Sequence, residues 1–188
     1  MRRMILAPVV LALVAAPVLG GSIIGNADCR RDCDTVVLYL EGGPSQDGAG
    51  TSVVFDQKDK VFVPHLLPVV QGTTVNIKNG DSFLHNVHVY QGKDTVLNIA
   101  LPFQGQVMPH TFAEPGTYTI LCDAHPEMSA YILVLENSYF AVPSGDGDFE
   151  IGDVPPGEYT LVRYDAEKDK STKKPLTMHE EGDCTIEF

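Results

Sequence analysis

Tyr118-Thr-Ile-Leu-Cys122-Asp-Ala-His125-Pro-Glu-Met128 places a thiolate, an imidazole and a thioether within seven residues, between two apolar runs. Cys122 closes one strand-like run and Ala130-Tyr-Ile-Leu-Val-Leu135 opens another, so the three side chains ride on a short loop held by sheet at both ends. One Cys, one His and one Met gathered in this way suit a copper ion held by two nitrogens, one thiolate and a weak axial sulfur. The second nitrogen must come from elsewhere in the chain.

Asp81-Ser-Phe-Leu-His85-Asn86-Val87-His88-Val89-Tyr90 supplies it, and alternation selects which imidazole. On a strand, Phe83, His85, Val87 and Val89 share one face, whereas Leu84, Asn86, His88 and Tyr90 share the other. The first face is otherwise apolar, so His85 is the inward ligand candidate and His88 belongs to the outer surface. Met108, His65, His110, Met178 and His179 match no ligand position. Zinc would also accept Cys and His, but its structural sites close with further thiolates or imidazoles. A cysteine nucleophile with a histidine base would need an oxyanion hole and a cleft, which no motif suggests.

The surrounding pattern is all-β. From Thr51 onward short β-branched and aromatic runs alternate with turn residues: 52–55, 61–63, 66–70, 73–78, 83–90, 106–112, 117–122 and 130–135. Strands at this spacing argue a β-sandwich. Lys78-Asn-Gly-Asp81 and Glu114-Pro-Gly116 carry residues that tolerate turn geometry. Residues 22–42 read as an N-terminal hairpin, with Cys29 and Cys33 flanking its connection; a bridge between them, or from either to Cys184, is open. Residues 137–188 hold three or four more strands, too few for an independent core. The hairpin completes them, which makes a small second β-sandwich discontinuous, with a domain at 51–136 inserted into it.

Residues 1–20 begin Met-Arg-Arg, continue through an apolar run and end in small residues, the pattern of a secretory signal peptide. That apolar run is shorter than the about 20 residues of a membrane span, so no stable membrane insertion is expected. The protein is expected to be periplasmic or secreted. Loss of Arg2 and Arg3 would take the formal charge from −12 to −14, which disfavours nucleic acid as a partner.

Phe83 to Tyr90 with its His-Asn-Val-His centre, and Thr111-Phe-Ala-Glu-Pro-Gly-Thr-Tyr118 running into the Cys122-x-x-His125-x-x-Met128 loop, resemble the cupredoxins, of which amicyanin is the most similar and plastocyanin a wider relative. The resemblance covers residues 51–136. It implies a Greek-key β-sandwich holding one copper ion that cycles between Cu(I) and Cu(II). His85, Cys122 and His125 are then the trigonal ligands and Met128 the axial one, with Asn86 tying the ligand loops together. Pro126, lacking an N–H, cannot donate toward the thiolate. The implied role is single-electron transfer between periplasmic partners of the dehydrogenase or cytochrome c type, without enzymatic activity; copper storage, delivery or sensing is the alternative. Glu127 departs from the apolar aromatic that amicyanin carries beside its exposed histidine. Asp146-Gly-Asp-Phe149 through Val154-Pro-Pro-Gly-Glu-Tyr159 resembles the carboxypeptidase regulatory-like, transthyretin-like β module.

Overall fold

Two β-sandwiches, one packed against the other, make up the computed structural model, which describes residues 20–29, 32–179 and 182–188. The all-β expectation is borne out: apart from one 3-10 turn at Cys33–Thr35, every regular element among the described residues is a strand. The signal-peptide reading of residues 1–20 lies, Gly20 apart, outside the described residues, and among the latter no helix is long and apolar enough to cross a membrane.

The inner sandwich is built from nine strands. One sheet holds β5 (Leu66–Val70), β11 (Ser129–Leu135), β10 (Gly116–Leu121), β7 (His85–Gln91) and β8 (Asp94–Leu101), in that order. The facing sheet holds β4 (Val61–Val63), β3 (Ser52–Lys58), β6 (Thr74–Asn79) and β9 (Val107–Thr111). Alternate residues of both sheets meet in a core of Phe55, Val75, Ile77, Val87, Val89, Ile120 and Ile132, all fully buried. Strand β8 escapes the sequence reading because it lies at the sheet edge: its residues are mostly exposed, and Asp94, Thr95 and Asn98 mask the alternation of Leu97, Ile99 and Leu101.

The outer sandwich pairs the sheet β12 (Phe140–Ala141), β2 (Val36–Glu41), β14 (Gly157–Asp165) and β15 (Lys170–Met178) with the sheet β13 (Asp148–Val154), β1 (Gly21–Asn26) and β16 (Cys184–Glu187). Its core gathers Ile23, Leu38, Phe149, Ile151 and Leu161. Residues 22–42 are not the hairpin read from the sequence. Strands β1 and β2 do not pair; β1 lies between β13 and β16, and β2 between β12 and β14. The segment between them is a corner that carries the chain from one sheet to the other, with the Cys29–Cys33 disulfide and the 3-10 turn in the bend. Cys184 keeps a free thiol.

Strand β11 joins the two halves. Ala130, Ile132 and Val134 point into the inner core, while Leu133 and Leu135, with Leu66 of β5, pack on Val37, Val162 and Tyr164 of the outer sandwich. A six-residue apolar run with no polar face is what a strand buried on both sides requires.

Candidate metal centre

All the candidate ligands sit at one end of the inner sandwich. Antiparallel pairing of Leu121 with Ser129 places residues 122–128 as a loop closing β10 and β11, and β7 begins with His85 at the same end. Inside the loop, Met128 N–H donates to the His125 carbonyl (2.9 Å) and Cys122 N–H to the Met128 carbonyl (3.3 Å). These contacts coil the loop so that His125 and Cys122 face the same point. Pro126, exposed, takes no part as a donor.

His85 Nδ1 lies 3.8 Å and His125 Nδ1 3.7 Å from Cys122 Sγ, and one ligand atom from each residue falls within 4.8 Å of the others. Metal bonds of about 2.0–2.1 Å to nitrogen and 2.3 Å to sulfur, splayed at a trigonal angle, separate their donors by about 3.8 Å. The observed spacings therefore fit one ion shared by three donors. Met128 is buried in the same core cluster as Cys122. His85 is fully buried and Cys122 nearly so, while His125 is half-buried and reaches the surface.

The imidazole beside Cys122 and His125 is the one on the face that alternation marks as inward. His85 faces the core end of the sandwich, and His88 lies on the outer face, where it contacts Asp123, Tyr90 and Asn98. Phe83 departs from the sequence reading: it precedes the strand, is 39% exposed, and covers the imidazoles with ring centroids 5.0 Å from His85 and 5.6 Å from His125.

Around the donors lies a set of polar contacts. Asn86 Oδ1 accepts the backbone N–H groups of Asp123 and Ala124, and its Nδ2 donates to Asp123 Oδ2 and to Asn98 Oδ1. One side chain thus stitches the start of β7 to the residues following Cys122. The hydrogen bond from His88, joined by those from Asn98 and Asn86, holds the Asp123 carboxyl below the usual carboxylate range.

Two contributors were not recognised in the sequence. Asp81 Oδ2 lies 2.9 Å from His85 Nε2, and the same carboxylate accepts backbone N–H groups from Asp59 (2.8 Å) and Lys60 (3.1 Å). Burial pushes this carboxyl up, but the hydrogen bond to His85 and those from the two backbone groups outweigh it and leave the group lowered. Asn79, fully buried, donates from Nδ2 to the carbonyls of Phe83 and Leu101 and accepts Asp81 N–H, and so fixes the path of residues 79–85. Only the turn composition of Lys78-Asn-Gly-Asp81 was readable beforehand.

Residues 49–135 match the family described as copper binding proteins, plastocyanin/azurin family. That match falls on the inner sandwich. Among solved structures, the chain is similar to a copper-containing nitrite reductase from Thermus scotoductus (29% identity, TM-score 0.43), covering 51% of this chain and 26% of that one. It therefore spans about a quarter of that enzyme's length. Amicyanin from Paracoccus versutus (23% identity, TM-score 0.41) covers 52% of this chain and 98% of its own. A purple cupredoxin from Nitrosopumilus maritimus (23% identity, TM-score 0.38) covers 45% and 99%, respectively. The family match ends where β11 ends, so the strands of the outer sandwich after β11 lie beyond it.

Proposed function

We propose that the chain is an exported type 1 copper protein that carries single electrons between redox partners. His85, Cys122 and His125 would hold the ion, and the Met128 thioether would be a weaker fourth donor. The observation that supports this most strongly is the pair of 3.7 and 3.8 Å separations between the two imidazole Nδ1 atoms and the Cys122 sulfur. Bound copper would supply a one-electron couple between Cu(I) and Cu(II).

The protein's own part is positioning and exclusion. Burial of His85, Cys122 and Met128 keeps water from the thiolate side. The Asn86 contacts hold the loop at a fixed distance from β7, so that little rearrangement accompanies a change of charge. His125, half-buried and edged by the partly exposed Phe83, is the port through which an electron would pass. Exposed Glu127 beside it, on a strongly acidic chain, favours a partner of the dehydrogenase or cytochrome c type that presents a basic rim. The outer sandwich is proposed as a carboxypeptidase regulatory-like module, on the Asp146 to Tyr159 resemblance.

Copper-loaded protein should show reversible one-electron voltammetry with fast exchange and one copper per chain. Transfer of the metal to an apo partner without a reversible wave would instead support delivery or storage and would overturn the carrier role.

A further inference from the structure

Asp81 is a buried carboxylate, 6% exposed, and among the described residues only His85 can offer it an ion pair. Its partners are His85 Nε2 and the two backbone N–H groups of Asp59 and Lys60. Those two residues form the β3–β4 turn, in which Lys58 pairs with Val61, and both have left-handed backbones (φ 54° and 60°). Two successive left-handed residues make the hairpin turn that Asn-Gly or Asp-Gly normally fills. Lys60 stands in the second place, where glycine would adopt the conformation without strain. The turn persists in a shape that aims consecutive N–H groups at a carboxylate in the connection that leads from β6 of the same sheet to His85 of the facing one.

We propose, resting on the copper reading above, that Asp81 is a positioning residue that presets His85 and shifts the site's preference toward Cu(II). Accepting from Nε2–H fixes the imidazole tautomer and leaves Nδ1, which faces Cys122, free to bind. The negative charge behind the ring makes the imidazole a stronger donor and favours the more highly charged ion, an effect strengthened by the low dielectric of a buried site. The β3–β4 turn holds that charge in place through backbone N–H groups, while the Lys60 ammonium lies over the Phe83 ring and makes no ion pair with the carboxylate.

Asp81→Asn tests this, because the carboxamide retains an acceptor but loses the charge. In the metal-free protein, nitrogen-15 NMR of His85 should show the Nε2–H tautomer alone in the wild type and a mixture in the variant. In the copper-loaded variant, the ratio of Cu(II) to Cu(I) affinity should fall about tenfold, read as a reduction potential about 59 mV higher. Asp81→Glu should restore most of the wild-type potential, even where stability suffers, so the test survives a poorly folded amide variant. An unmoved potential in Asp81→Asn, with the visible band intact, would overturn this inference alone. A wild type that binds copper without any such band would overturn the copper reading beneath it.

Discussion

Cys122→Ala is expected to abolish the intense visible absorption of the copper-loaded protein and its reversible voltammetric wave. The thiolate is the one soft anionic donor in the site, and removing it leaves two imidazoles and a buried thioether, which offer Cu(II) no strong covalent bond. Copper would still bind through His85 and His125, more weakly and without colour. The substitution removes a single buried sulfur, so the fold should survive with a loss of about 1 kcal/mol. Far-ultraviolet circular dichroism should be unchanged, which separates loss of the centre from loss of structure. A variant that keeps the band would place the chromophore elsewhere and sink the assignment.

Asn86→Ala should cost about 2–4 kcal/mol in urea denaturation of the metal-free protein, and should broaden or shift the visible band of the loaded protein. The estimate follows from what alanine leaves behind. The N–H groups of Asp123 and Ala124 lose their acceptor, and the Asp123 carboxylate and Asn98 lose a donor. A donor stranded in a poorly hydrated place costs about 1–3 kcal/mol, with water recovering part of it near the surface. An unchanged denaturation midpoint together with an unchanged spectrum would show that the ligand loop holds its shape without this side chain.

The candidate centre is legible in the sequence because its chemistry is local. Cys122, His125 and Met128 are three residues apart on one loop, and the strict alternation of a strand separates His85 from His88 with no knowledge of the rest of the fold. What stayed hidden depends on contacts between distant segments. Asp81 reads as a turn residue because nothing nearby marks it as a partner for His85, and its other two partners come from a hairpin more than twenty residues upstream. Strand β8 hides behind the polar composition of a sheet edge, although its Asn98 enters the network around Asp123. Residues 22–42 mislead for a related reason: two apolar runs joined by a short connection look alike whether they form a hairpin or turn a corner between sheets. The Cys29–Cys33 bridge fits either arrangement by spacing, and only the strand partners distinguish them.

The residues on the far side of β11 have a further consequence. The inner sandwich cut free after Leu135 would carry Leu66, Leu133 and Leu135 on its surface, a greasy flank that is buried in the whole chain. Such a fragment would tend to clump or to borrow a neighbour's surface. The outer sandwich thus acts as a permanent cover, and the smallest stable unit that can hold the metal is larger than the stretch that binds it.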